Sequence, residues 1–125
     1  MTSGKRLTLT ELELEIMKVI WDLDQCTVRQ VYEELLRRKR IAYTTVMTMM
    51  NILEEKGHLR KRKEGRAFVY VPAHSQERVI SNMVEDFVSR VFDGSARPLV
   101  LSLLQDRNLS EKDRKEIVKL LEGAE

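Results

Sequence analysis

The sequence predicts a mainly α chain, α+β in class, with one β-hairpin set between two groups of helices. Three observations carry this. Strong helix formers dominate the 125 residues, with only 5 Gly and 2 Pro. Apolar residues recur at helical spacing through most of the chain. Between residues 58 and 71 the period changes, and the β-branched and aromatic run Ala67-Phe68-Val69-Tyr70-Val71 favours a strand.

Each element has its own signals. Thr8-x-x-Glu11 is a capping box, so a first helix is expected from about Leu9 to Leu23, with Leu12, Ile16, Val19, Ile20 and Leu23 as its apolar stripe. Trp21 lies beside that stripe. Asp24-Gln25-Cys26 breaks the helix, and a second box, Thr27-x-x-Gln30, opens another to about Arg38, burying Val28, Val31, Tyr32, Leu35 and Leu36. A third helix begins near Tyr43 and ends before Gly57, a residue suited to the left-handed position after a helix. It buries Val46, Met49, Met50 and Leu53 and shows Thr44, Met47, Thr48 and Asn51 on the opposite face. Residues 58–63 and 66–71 then flank Glu64-Gly65 as a hairpin whose tip is basic, and Pro72 stops its second strand.

After a boundary near residues 73–75 the helical period returns. Ser75 caps a helix through about Phe92 with Val79, Met83, Phe87, Val88 and Val91 on its apolar side. Asp93-Gly94-Ser95 breaks it. A short Leu-rich helix follows over residues 97–105, with Pro98 in its first turn, and Ser110 caps a last helix bearing Ile117, Leu120 and Leu121. The expected division is therefore residues 1–74 and 75–125. About 50 residues in three short helices bury little core alone, and no disulfide or metal site is available to staple them. An intertwined dimer of these helices fits best, through Val79, Met83, Phe87, Val91, Leu99, Leu103, Ile117, Leu120 and Leu121. A three-helix satellite docked on the first module is the alternative.

Charge narrows the functional classes. The net charge is +2, yet residues 1–36 hold 4 basic and 7 acidic residues (−3), residues 37–74 hold 10 and 3 (+7), and residues 75–125 hold 8 and 10 (−2). Positive charge concentrated in the middle third points to an anionic partner. With 42% hydrophobic and 34% charged residues, the chain is neither disordered nor a membrane protein. No apolar run is long enough to insert in a bilayer, and the N-terminal residues lack the apolar stretch of a signal peptide. One cysteine, Cys26, excludes an internal disulfide and suits a reducing compartment such as the cytoplasm.

Three helices followed by a two-stranded hairpin is the order of a winged helix-turn-helix, with the third helix in the DNA major groove and the hairpin as the wing. Thr44, Thr45 and Thr48 offer hydroxyls and methyls to base edges; Asn51 can pair with adenine or reach a phosphate, and Met47 makes apolar contact only. Lys61, Arg62, Lys63 and Arg66 are expected on phosphates, supplying affinity and orientation. The run Arg37-Arg38-Lys39-Arg40 either grips the flanking backbone or simply ends a helix in solvent, and Met residues more often fill cores than read bases. The polybasic hairpin also suits anionic lipid, but no apolar wedge accompanies it.

Catalysis finds little support. His58 and His74 stand 16 residues apart with no Cys or carboxylate at metal spacing, and both read as surface histidines. Cys26 precedes a helix start, where a thiolate can be favoured, although a half-buried inert thiol is the better reading. No phosphate-cradling loop or nucleophile motif occurs. The chain is expected to be no enzyme and to need no metal or cofactor.

The residues resemble the penicillinase repressors of the BlaI/MecI/CopY type. Leu9-Thr10-Glu11-Leu12-Glu13 through Val19-Ile20-Trp21-Asp22 is similar to that family's opening helix. Thr27-Val28-Arg29-Gln30-Val31, Ala42-Tyr43-Thr44-Thr45-Val46-Met47-Thr48 and Leu53-Glu54-Glu55-Lys56-Gly57 continue the likeness in order. Phe68-Val69-Tyr70 resembles its wing strand, and Leu99-Val100-Leu101 falls in its C-terminal dimer segment. The resemblance implies a homodimeric repressor on a palindromic double-stranded operator, with antibiotic (β-lactam) resistance genes among its targets. It also implies release when a sensor-linked protease cuts the dimerisation helices. That cut falls at an Asn–Phe bond in the family; Ser102-Leu103 stands at the aligned position here and departs from it. Met47 replaces an Arg of the lactamase repressors, which implies a changed operator preference, whereas Thr45 and Thr48 match. The cysteine pairs of the copper-responsive branch are missing, so copper sensing is not expected. A competing class is a winged-helix module that docks other proteins without reading DNA; a ligand-responsive regulator has little room for a pocket.

Overall fold

The computed structural model describes residues 8–105 and 109–123. The elements are α1 (Glu11–Leu23), α2 (Val28–Leu36), α3 (Tyr43–Glu55), β1 (Leu59–Glu64), β2 (Ala67–Pro72), α4 (Gln76–Val91), α5 (Arg97–Leu104) and α6 (Glu111–Glu122). Residues 1–7, read above for a leader, lie outside the described residues. The chain divides into two compact units, one running to Asp86 and the other from Phe87.

Two overlapping Thr-x-x-Glu motifs compete to start α1, and the second wins. Thr10 Oγ1 accepts from Glu13 N at 3.2 Å, and Glu13 Oε1 accepts from Thr10 N at 2.9 Å. The helix therefore begins two residues later than the box at Thr8–Glu11 predicts. The reason is Leu9: as the residue before the cap it is buried, while Leu14 packs against the same core, the two positions of a hydrophobic staple. The buried stripe is centred on Glu13, Ile16, Met17 and Ile20, with Val19 beside it. Leu12 is thereby only partly buried and Leu23 is exposed, contrary to expectation.

The second box forms as expected, with Thr27 Oγ1 accepting from Gln30 N and Gln30 Oε1 from Thr27 N. Val31 and Leu35 enter the core, but α2 stops at Leu36, not Arg38. The N–H groups of Arg37 and Arg38 bond three residues back, to Glu34 and Leu35 carbonyls, tightening the last turn and leaving Leu36 exposed. In α3, Val46, Met50 and Leu53 are buried and Met49 only partly so.

The end of α3 overturns the reading of His58 as a surface residue. Gly57 takes φ 90°, Gly57 N donates to Glu54 O, and His58 N donates to Leu53 O at 2.9 Å. This is a Schellman motif, whose second post-helical residue folds back onto the last turn. His58 occupies that place and is buried.

β1 and β2 pair antiparallel from Leu59↔Pro72 to Glu64↔Ala67. The turn residues are thus Gly65-Arg66, one position beyond the Glu64-Gly65 expected, because Gly65 supplies φ 63° at the first central position. Cys26 adds a bridge on the other edge of β2: its N–H donates to Tyr70 O at 3.0 Å and its carbonyl accepts from Tyr70 N at 2.7 Å. Cys26 is fully buried there, and burial pushes its thiol up to about 11. Burial thus disfavours the thiolate, and the thiol lies deeper than the half-buried one expected.

Behind the hairpin, Trp21 Nε1 donates to His74 O at 3.1 Å. Ser75 Oγ then accepts from Arg78 N, opening α4. Val79 is buried in the first unit and Met83 packs against the same core. Within the second unit, Asp93 (φ 54°) and Gly94 (φ 91°) break the helix, Phe87 and Phe92 meet edge to face at 5.9 Å, and Ser110 caps α6 by accepting from Asp113 N.

Candidate nucleic-acid interface

Helical spacing turns one side of α3 to the core and the other outward. Thr44, Thr45, Met47, Thr48 and Asn51 are all exposed, and no acidic side chain interrupts them. α3 has no side-chain cap at Ala42, unlike α1 and α2.

The two-residue period of the hairpin sorts its basic residues. Leu59, Lys61 and Lys63 share a face with Tyr70 and Phe68, their neighbours in register. Because Leu59 and Tyr70 are buried against the helices, this is the face that continues towards α3. Lys61 Nζ lies 4.7 Å over the Phe68 ring. Arg60, Arg62 and Glu64 fall on the opposite face. Arg62 is committed there: its Nε donates to Glu64 Oε2 at 2.8 Å and a terminal nitrogen donates to Gln25 Oε1 at 2.7 Å. The hairpin is also less purely basic than its sequence suggests, since Phe68 is 44% exposed.

An open groove of ≈ 530 Å³ runs between the start of α2, α3 and the hairpin. It brings Met47, Asn51, Lys61 and Arg66 together, and Thr44, Thr45 and Thr48 share the exposed side of α3. Sequence reasoning missed several of its walls. Arg29 lies 5.7 Å over the Tyr43 ring, and both line the groove with Phe68 and Tyr70. Strand alternation would have paired Phe68 and Tyr70 with Lys61, but Arg29 and Tyr43 are joined only by the fold. Tyr70 is 3% exposed, and its hydroxyl donates to Asn51 Oδ1 at 3.0 Å. Burial raises its pKa above the ordinary phenol value, so the hydroxyl stays a donor.

Of the run after α2, Lys39 pairs with Glu15 at 2.9 Å and Arg37 approaches Glu34 at 3.6 Å. Among the described residues no group of His, Cys, Asp and Glu could hold a metal ion, and no helix is long and apolar enough to cross a membrane. Of the residues expected at a dimer face, Val79 belongs to the first unit's core and Met83 is partly buried against it. Phe87, Val91, Leu103, Leu120 and Leu121 are exposed, and Leu99 and Ile117 are half-buried. Ser102 is exposed on α5.

This geometry agrees with what the chain is similar to. The family model for the penicillinase repressor matches residues 9–123. The chain belongs to the penicillinase repressor family. It is accordingly a transcriptional repressor and not an enzyme. This repressor is 33% identical over 114 residues to the penicillinase repressor of Bacillus licheniformis, covering 91% of this chain and 89% of that one. It is 23% identical over 118 residues to the methicillin resistance regulatory protein MecI of Staphylococcus aureus, covering 94% and 96%. Among solved structures, the DNA-binding domain of the repressor BlaI superposes with a TM-score of 0.51 at 38% identity, covering 55% of this chain and 84% of that one. The monomeric form of B. licheniformis BlaI in complex with the blaP half-operator gives 0.50 at 37% identity, covering 56% and 85%. The winged helix-turn-helix expected from the order of elements is the fold found.

Proposed function

We propose that this repressor binds a palindromic operator in double-stranded DNA as a homodimer, in the cytoplasm, and blocks transcription by occupying a promoter. The acid-free outer face of α3, continuous with the Lys61, Lys63 and Arg66 side of the wing, carries this reading. Thr44, Thr45, Met47, Thr48 and Asn51 meet the major groove; Lys61, Lys63 and Arg66 hold phosphates. The half-operator complex of the B. licheniformis relative supports the same use of the fold.

Residues 1–74 form the DNA-binding domain in this reading, and residues 75–125 the dimerisation domain. Supporting it are the exposed apolar side chains Phe87, Val91, Leu103, Leu120 and Leu121, which a partner's helices would cover. The names of the relatives make antibiotic (β-lactam) resistance genes the targets to test. Release by a sensor-linked protease would act at Ser102-Leu103 on α5, where the helix has to unwind before a peptide bond can enter a protease cleft.

Selection from random DNA tests the whole reading: an enriched palindrome is expected, and its half-site spacing reports the dimer. Affinity for that site should fall steeply as salt rises, because each neutralised phosphate releases counterions. A flat salt response, or no enriched site, would overturn it in favour of a protein-docking module.

A further inference from the structure

We infer that Tyr70 is a positioning residue for DNA recognition: through its buried hydroxyl it orients the Asn51 side chain so that Asn51 offers hydrogen-bond donors, and not its carbonyl oxygen, to the operator. The inference rests on the DNA-binding reading above and deepens it.

Three observations build it. Asn51 lies on the exposed side of α3 and lines the groove with Lys61 and Arg66, so its side chain faces the proposed DNA surface. Its Oδ1 accepts the Tyr70 hydroxyl at 3.0 Å. Tyr70 itself has little freedom, because its ring is buried and its backbone is bonded on one side to Cys26 and on the other lies in register with Lys61. A carboxamide held by its oxygen from below turns its Nδ2 outward.

The consequence is a restriction. Bidentate pairing with adenine needs the amide oxygen to accept from N6 while the nitrogen donates to N7. Oδ1 keeps a second lone pair, but with the oxygen directed inward at Tyr70 the carboxamide turns Nδ2, and not Oδ1, to the operator, so the two-point match to adenine is not presented. What it can meet is an acceptor: a phosphate oxygen, or a base-edge acceptor such as a purine N7. The wing strand thus acts on α3's reading surface, and the base code that Asn alone would suggest does not apply.

The test uses the full-length chain and the DNA site selected for the wild type. Tyr70→Phe keeps the buried ring and removes only the hydroxyl. It should weaken binding about three- to ten-fold, the loss of one oriented hydrogen bond. The same weakening on all sequences would place the acceptor on a phosphate; weakening that depends on one base pair would place it on a base edge. In an Asn51→Ala background, Tyr70→Phe should add nothing. Without DNA, the Asn51 side-chain NH2 signals in NMR spectra should shift and sharpen in Tyr70→Phe as the carboxamide is freed. Unchanged affinity and unchanged NH2 signals, or losses that add in full in the double variant, would overturn the inference. So would a strict adenine requirement at the Asn51 position that survives Tyr70→Phe. If the wild type binds no DNA, the functional reading fails and this inference with it; a binding wild type with an indifferent Tyr70→Phe defeats the inference alone.

Discussion

Glu13 sits at 2% exposure inside the first helix, where a carboxylate needs compensation. Lys56 Nζ supplies it from the end of α3 at 2.8 Å, and Thr10 N donates to the other oxygen. Burial works to raise the Glu13 pKa, but the Lys56 and Thr10 hydrogen bonds and the Lys56 charge outweigh it, so the net shift is downward. A depressed folded-state pKa means that the contribution to stability is present above the unfolded value and is lost as pH falls through the folded one. Lys56→Ala leaves the buried carboxylate without its cation, though still bonded to Thr10 N, and should cost about 1–3 kcal/mol in denaturant unfolding at neutral pH. In the same variant the Glu13 pKa is less depressed, because burial acts with less opposition, so the stability lost on acidification should be smaller than in the wild type or reversed in sign; coincident pH–stability profiles would refute the pairing. The wing offers a second residue-scale prediction. Lys61→Ala should weaken binding to all DNA sequences and reduce the slope of log K against log salt by about 1. Arg62→Ala should change affinity much less, because its guanidinium is already held by Glu64 and Gln25. Sequence could not separate the two: adjacent basic residues look alike until the register assigns them to opposite faces.

At the scale of elements, local chemistry was read best where one motif had no rival. The Thr27–Gln30 box, Ser75, Ser110 and Gly57 all sit where they were expected. The start of α1 departs from the expected one because two boxes overlap and only the burial of Leu9 chooses between them. Thr10→Ala should accordingly cost about 1 kcal/mol in thermal or denaturant unfolding, the usual value of an N-cap; a neutral effect would return the cap to the earlier box. The hairpin turn slipped by one residue for a comparable reason: Glu64-Gly65 and Gly65-Arg66 both contain the glycine, and the register Leu59↔Pro72 decides. His58 is buried although histidine is usually more exposed, because its place after Gly57 in a Schellman motif folds it inward.

For the whole molecule, the compact unit that ends at Asp86 contains α3 and both strands. A chain truncated after Asp86 should fold and bind a half-site, but bind the palindrome weakly and without cooperativity. Leu120→Glu with Leu121→Glu should do the same within the full chain, shifting sedimentation from dimer to monomer while half-site affinity is retained. A double variant that stays dimeric would move the interface away from α6.

Sequence alone determined the order of helices and hairpin, the outward side of α3 and the concentration of positive charge in the middle third. These follow from period, caps and counts, which are properties of neighbours along the chain. Tertiary structure alone decided which cations face the groove, that Cys26 is buried, that Glu13 is paired with Lys56, and that Tyr70 holds Asn51. Each of these joins residues distant in sequence or turns on which face of an element is covered. Hydrogen-bond geometry and burial are set by packing, and no local pattern encodes them.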